Sequence, residues 1–302
     1  MNRYEKGKNY VMTIAIIGPG AVGTTIAAEI KKVLPETQLI GRYDKTMSYF
    51  PENTTHRFDI EVTSYDRVKQ LFDVIIIAVK THQLDSVIKQ LSTIAHKDSL
   101  IILAQNGYGQ VERIPYPNVF QAVVYISGQK INHQIKHFRD YQLYIQDNTL
   151  TRQFKNEIIG SKLNVTLEPN IEMKIWYKLL VNLGINSITA LVHQPTKVLQ
   201  YPHMTELCRH ILADGVQVAY SEGIYFNETI IGDIMNIYAG YPNEMGTSVY
   251  YDVMNGNPLE IDAIQGYIYR RARYHQLKTP YLDTVYTCLL YTSPSPRDLS
   301  TS

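Results

Sequence analysis

The sequence predicts an α/β fold in which a doubly wound sheet is followed by an all-helical C-terminal domain. Three observations carry that prediction. Strand-like and helix-like periods alternate from Thr13 to Ile145, the signature of βαβ units. The runs Val74–Val79 and Leu100–Ala104 are wholly apolar, as in strands buried on both faces. From Ile171 onward the strand pattern disappears and helical spacing takes over. The chain has 302 residues, which makes two domains the natural expectation at about 100–200 residues each. A chain of that size can bury roughly 75% of its unfolded surface.

Thr13–Ile17 is the first strand, and the turn Gly18-Pro19-Gly20-Ala21-Val22-Gly23 follows it. Val22, Ile26, Ile30 and Val33 then recur at helical spacing. Gln38–Ile40 is a short second strand, and Asp66–Leu71 reads as a helical turn. After Val74–Val79, Thr81 is placed to cap a helix with Leu84, Val87, Ile88 and Leu91 on one face. Leu100–Ala104 ends at Asn106-Gly107. Val119–Ile126, Ile131–Phe138 and Tyr141–Ile145 read as later strands, with tight turns that suggest an antiparallel edge. Helices are expected over Ile171–Ile185, Met204–Glu222, Thr247–Met254, Pro258–Tyr274 and Tyr281–Leu290. The composition changes near Pro169, giving domains at 12–168 and 169–290.

Composition removes several classes of function. Lys plus Arg is 29 and Asp plus Glu is 28, so no electrostatic argument favours nucleic acid or a membrane surface. With 45% hydrophobic and 19% charged residues the chain is globular rather than disordered. Two cysteines, Cys208 and Cys288, without a C-x-x-C exclude a disulfide scaffold and suit the reducing cytoplasm. The longest unbroken apolar runs fall far below the roughly 18 residues of a bilayer span. Both ends are expected to be non-native or disordered: Met12 reads as the true start, and Tyr291–Ser302 is Ser/Pro-rich and resembles read-through.

The strongest local signal is Gly18-x-Gly20-x-x-Gly23, between a strand and a helix. The first glycine permits the tight turn and the second lets the backbone approach a pyrophosphate. The third lets helix and strand pack. Helix N–H groups then face the phosphates, so a Rossmann-type dinucleotide site is expected over Gly18, Pro19, Gly20, Ala21, Val22 and Gly23. An NAD site usually has an acid at the end of the second strand. Here Gly41-Arg42 stands there. Arg42 suits a 2′-phosphate and Gly41 is read as leaving room for it, which favours NADPH. Asp44 is expected to point away.

A polar stripe marks the first helix of the second domain. Lys178, Asn182 and Asn186 are spaced i, i+4, i+8 among Ile175, Trp176, Leu179, Leu180, Val181, Leu183 and Ile185. Buried amides and an ammonium need partners or a polar ligand. Helix–helix hydrogen bonds with a snorkelling lysine would also satisfy the pattern. Lys80 and Asn106 end the two buried strands, at the carboxyl edge where such sheets bind ligands. Either could equally be a solvated strand end or a plain N-G turn. Ser248 reads first as a helix cap. Asn257-Pro258-Leu259-Glu260 reads first as a capping box. His133 and His137 lie in a strand-like stretch without a third metal ligand. The run Arg270-Arg271-Ala272-Arg273 reads as a solvated face.

The ordered set GPGAVG, VK (Val79-Lys80), QNG (Gln105–Gly107), WYKLLVNLGIN (Trp176–Asn186), TSVYYD (Thr247–Asp252) and LEIDAIQG (Leu259–Gly266) resembles the ketopantoate reductase family. The resemblance spans roughly Met12 to Leu289. One departure is Val249, where members often have Met after two serines. The resemblance implies NADPH-dependent reduction of 2-dehydropantoate (ketopantoate) to pantoate, in pantothenate and coenzyme A biosynthesis. It implies Lys178 as general acid and a substrate pocket lined by Asn106, Asn182, Asn186 and Ser248. Glu260 would sit at the substrate–cofactor edge, with Lys80 and Asn106 also at the cofactor. It calls for a small-molecule substrate and no metal, nucleic acid or membrane, and leaves a homodimer open. Two alternatives remain: a related 2-keto-acid or β-hydroxyacid reductase, and a catalytically dead nucleotide-sensing regulator.

Overall fold

The computed structural model describes residues 11–54 and 56–292. The reading of the two ends therefore falls mostly outside the described residues.

The described chain divides into two compact units. One takes the chain up to Asn106 together with Gln110–Ile171, and the other takes Gly107–Gly109 and the chain from Glu172 on.

The first unit is built on a mixed ten-stranded sheet. Its elements run β1 (Ile14–Ile17), α1 (Ala21–Lys31), β2 (Gln38–Gly41), β3 (Lys45–Phe50), β4 (Phe58–Ser64), β5 (Phe72–Ile77), α2 (Leu84–Ile94), β6 (Ala95–Leu103), β7 (Val119–Gln121), β8 (Val123–Ile131), β9 (Gln134–Gln146), α3 (Thr149–Glu157) and β10 (Asn164–Glu168). The strand order is β10-β9-β3-β4-β2-β1-β5-β6-β7, with β8 paired to β9. β1 lies parallel between β2 and β5, with Ile17 opposite both Ile40 and Ile77. Alternation sends Ile14, Ile16, Val74 and Ile76 to one face, with Ile26 and Ile30 of α1. It sends Ala15, Ile17, Ile75 and Ile77 to the other, with Leu84, Val87 and Leu91 of α2. Both faces are covered, which is why these strands are apolar throughout.

Several expectations change. Thr81 does not cap α2: it opens a 3₁₀ turn, Thr81–Gln83, and Gln83 holds the N-cap position without a side-chain bond. Asp66–Leu71 contracts to the 3₁₀ turn Tyr65–Arg67. Val119–Ile126 is two strands, because the chain leaves β6 after Gln121 and joins β9 from Val123. Conversely, β9 runs unbroken from Gln134 to Gln146, absorbing a left-handed residue at Asp140 (φ +65). The antiparallel pairing expected there is that of β8 with β9. β3, β4, β10 and α3 were not foreseen.

The second unit is helical: α4 (Ile171–Val192), α5 (Pro202–Ser221), α6 (Ile230–Ala239), α7 (Ser248–Met254), α8 (Gln265–Tyr274) and α9 (Pro280–Thr292). By length and composition α4 could cross a bilayer, but 72% of its apolar window is buried inside the protein, as for a core helix. α9 continues through Tyr291 and Thr292, two residues further than expected. The single helix expected over Pro258–Tyr274 is broken. Glu260 precedes a 3₁₀ turn at Ile261–Ala263, and α8 begins only at Gln265. The carbonyl of Ala263 accepts the N–H of Tyr108 at 2.9 Å, so it is committed outside any helical ladder. The capping box falls with that helix. Asn257 instead donates its backbone N–H to the Asp252 carbonyl at 2.8 Å, closing α7.

Candidate active site

In the sheet unit, β1 delivers Gly18 to the carboxyl end of the sheet. Its N–H donates to the Ile40 carbonyl at 3.0 Å, and Ala78 donates to the Ile17 carbonyl at 2.8 Å. Gly18 has φ +110, and a Cβ there would lie 2.8 Å from Val79 Cγ1 and 2.9 Å from the Ala78 carbonyl. A Cβ on Gly23 would lie 2.1 Å from the Gly18 oxygen. These two glycines are required by the protein itself. Gly20 differs: a Cβ there would meet nothing within 4 Å. It is the N-cap of α1, which has neither a capping side chain nor an acid in its first turn. Pro19, Ala21 and Val22 are half-buried beside it. An uncapped helix start with open space over the backbone fits a bound pyrophosphate.

This contrast makes a prediction. Gly20→Ala should leave the melting temperature near wild type and weaken dinucleotide binding. Gly23→Ala should lower both, with overpacking costing about 1–3 kcal/mol. Thermal melts with and without cofactor compare the two, and a destabilised Gly20→Ala would refute the reading of that open space.

At the end of β2, Arg42 is exposed and forms no ion pair among the described residues. Its guanidinium acts on Tyr65, whose phenol burial pushes up to about 12 while Arg42 opposes the shift. Asp44 is committed elsewhere. Its carboxylate accepts from the Ser64 N–H at 2.8 Å and from Arg67 Nη1 at 3.0 Å. Those two bonds, the backbone one foremost, hold its pKa below the usual carboxylate range. Gly41 does not leave room for a phosphate. The space of its missing side chain is filled by Val62 Cγ1, 2.8 Å from an added Cβ, and by the Pro19 ring at 3.3 Å. Half-buried Lys80 follows β5, and half-buried Asn106 follows β6.

In the helical unit, α4 carries the stripe. Lys178 and Asn182 are half-buried, and Asn186 is 4% exposed. Helical geometry turns Asn182 and Asn186 about 40° and 80° from Lys178, and brings Thr189 back to within about 20°. The Thr189 hydroxyl lies 2.9 Å from that of Thr247, the residue before Ser248. Thr247 in turn accepts the Tyr250 N–H at 3.1 Å and caps α7. Ser248 is therefore not the cap. It is the first helical residue, with an exposed hydroxyl. Thr189 and Thr247 are not picked out by the sequence reading: Thr189 follows Asn186 by three residues rather than four, although it shares the helix face of Lys178. Glu260 is 6% exposed at the head of its 3₁₀ turn. His133 is exposed and His137 buried, so the two rings do not form a pair. Among the described residues no cluster of three or more His, Cys, Asp or Glu side chains could hold a metal.

A Rossmann-type sheet unit with an open glycine loop, followed by a helical unit with a polar stripe on its central helix, defines a two-unit oxidoreductase. The family model described as "Ketopantoate reductase PanE/ApbA" matches residues 14–149, and its C-terminal companion matches residues 170–291. The chain belongs to the ketopantoate reductase family. The 2-dehydropantoate 2-reductase of Mycobacterium tuberculosis is 29% identical over 94% of this chain and 98% of its own. The dimeric ketopantoate reductase of Staphylococcus aureus is 58% identical, with TM-score 0.92 over 93% of this chain and 99% of its own. A D-mandelate dehydrogenase solved with NADH shares the fold at 20% identity and TM-score 0.83, covering 93% and 98% of the two chains.

Proposed function

We propose that this protein reduces 2-dehydropantoate to pantoate with NADPH, in the biosynthesis of pantothenate and coenzyme A, with Lys178 as general acid. The observation that carries the reading is the stripe of Lys178, Asn182 and Asn186 on a largely apolar core helix. Gly18–Gly23 and Arg42 would hold the dinucleotide, with Lys80, Asn106 and Glu260 about its reactive end. A nicotinamide held there would supply hydride for the C2 carbonyl carbon, and the residues of the helical unit would then have to meet the negative charge growing on the carbonyl oxygen. The Lys178 ammonium polarises that oxygen and gives it a proton as the alkoxide forms. Asn106, Asn182, Asn186 and Ser248 would bind the carboxylate and hydroxyl of the substrate and so fix the face presented to the cofactor. The open hydroxyl of Ser248 supports that role, since capping is done by Thr247. Two free cysteines suit a cytoplasmic enzyme, and the dimeric relative from S. aureus supports a homodimer.

The test is NADPH oxidation with ketopantoate beside a panel of 2-keto acids. Preference for ketopantoate is expected. Faster turnover of an aryl or unbranched keto acid would reassign the substrate, and no turnover of any would favour a sensing role. Asn182→Ala and Ser248→Ala should each raise KM for the keto acid about 10-fold or more, the loss of a hydrogen bond to a charged group. NADPH affinity should stay within twofold in both. Lost cofactor binding with unchanged melting would contradict this division of roles.

A further inference from the structure

Two buried glutamines lie beneath the carboxyl end of the sheet. Gln105, 5% exposed, follows β6, and Gln121, 6% exposed, ends β7. Gln105 donates its Nε2 to the Val79 carbonyl at 2.7 Å. Nε2 of Gln121 lies 3.2 Å from the Leu103 carbonyl and 3.0 Å from those of Gln105 and Ala122. Every partner is a carbonyl oxygen, so the orientation of both amides is fixed by chemistry. Both Oε1 atoms are buried without a hydrogen-bond partner among the described residues. An apolar side chain would avoid that cost, so a donor is what these positions require.

The carbonyls they hold are telling. That of Val79 belongs to the peptide entering Lys80, and that of Gln105 to the peptide entering Asn106. The strand ladder stops short of both. The last β5–β6 pair is Ile77 with Leu103, and the last β6–β7 pair is Leu103 with Gln121. Beyond those pairs the backbone bonds from Ala104 to Ile77 and from Ala122 to Leu103 close the sheet. The side-chain amides continue the bonding where the ladder ends. Val79 also lies where a side chain on Gly18 would fall, so the same support reaches the glycine loop.

We infer that Gln105 and Gln121 are positioning residues for the reductase, each fixing the peptide plane immediately before a residue that meets the cofactor. The inference rests on the proposed placing of Lys80 and Asn106 at the dinucleotide. It is tested on the full chain with Gln105→Met, Gln121→Met and Gln105→Glu, alongside Lys80→Ala and Asn106→Ala. The two Met variants should keep the fold by circular dichroism and lose about 10- to 100-fold in kcat/KM for NADPH, the scale of a small misplacement. Gln105→Glu alters one group and keeps the shape. Its carboxylate repels the Val79 carbonyl, whereas its protonated form donates to it. Its activity relative to wild type should therefore rise as pH falls, and that of Gln105→Met should not. Lower melting temperatures with unchanged kinetics and a flat Gln105→Glu ratio would mean a structural role only and overturn the inference. Should a Met variant fail to fold, the Gln105→Glu ratio decides alone. If Lys80→Ala and Asn106→Ala both bind NADPH like wild type, the placing of the sheet edge at the cofactor is wrong, and the inference falls with it. If they lose NADPH while folded glutamine variants do not, only the inference falls.

Discussion

Lys178→Ala is expected to lower kcat about 10²–10⁴-fold, the range for a lost general acid. The side chain is only half-buried, so the fold should survive and the loss should appear at saturating substrate. Lys178→Arg keeps the charge but gives up its proton far less readily, so it should recover substrate binding more than turnover. Stopped-flow and steady-state rates of the two variants measure both effects. Near-wild-type turnover in Lys178→Ala would remove the assignment and leave the stripe as an internal hydrogen-bonding seam of α4.

Arg42→Ala should weaken NADPH by about 10- to 150-fold and leave NADH nearly unchanged. The two cofactors differ by a 2′-phosphate, and a charge-assisted hydrogen bond to it is worth about 1.5–3 kcal/mol. Arg42 is exposed and free of any ion pair among the described residues, so nothing competes for its guanidinium. Exposure also means screening, and the preference should shrink as salt rises. Asp44→Ala should weaken both cofactors little and equally, because its carboxylate is spent on Ser64 and Arg67. Calorimetric titration of both cofactors decides the matter. Equal losses for NADH and NADPH in Arg42→Ala would make the arginine structural. A wild-type preference for NADH would return the ribose to an acidic partner.

Sequence reading worked where one physical effect dominates a stretch. Strands buried on both faces cannot hide: the apolar run read as Val74–Val79 is β5, although the strand itself runs two residues earlier, Phe72–Ile77, with Ala78 and Val79 half-buried beyond it. The loop Gly18–Gly23 stands between a strand and a helix as its spacing requires. It failed where tertiary contacts overrode local pattern. Glu260 looked like the third residue of a capped helix until Tyr108 took the Ala263 carbonyl. Ser248 looked like a cap because its neighbour Thr247 offers the same chemistry one position earlier. β4 alternates buried Ile60 and Val62 with exposed Asp59 and Glu61, a period of two that the sequence itself carries. Its partner β3 is held partly by polar cross-strand bonds, Thr46 to Glu61 and Ser48 to Asp59, and those leave no hydrophobic signature. Gln105 and Gln121 gave only a faint signal, polar residues closing apolar strands, and their meaning depends on where each amide points.

The geometry of the glycine loop has a consequence for synthesis and folding. Gly18 owes its position to Ala78 and Val79, sixty residues further along the chain. The helix α1 can form from its own sequence soon after it is made. The anion-binding end of that helix cannot, because β1 gains its second neighbour only when β5 arrives. At roughly 5–20 residues per second on the ribosome, that is a delay of about 3–12 s, during which a four-residue apolar strand has an open edge. Dinucleotide affinity thus needs at least the first five of the ten strands. A nascent or truncated chain ending before Phe72 should show helicity without ligand response, so cofactor binding reports that the long-range closure has been made.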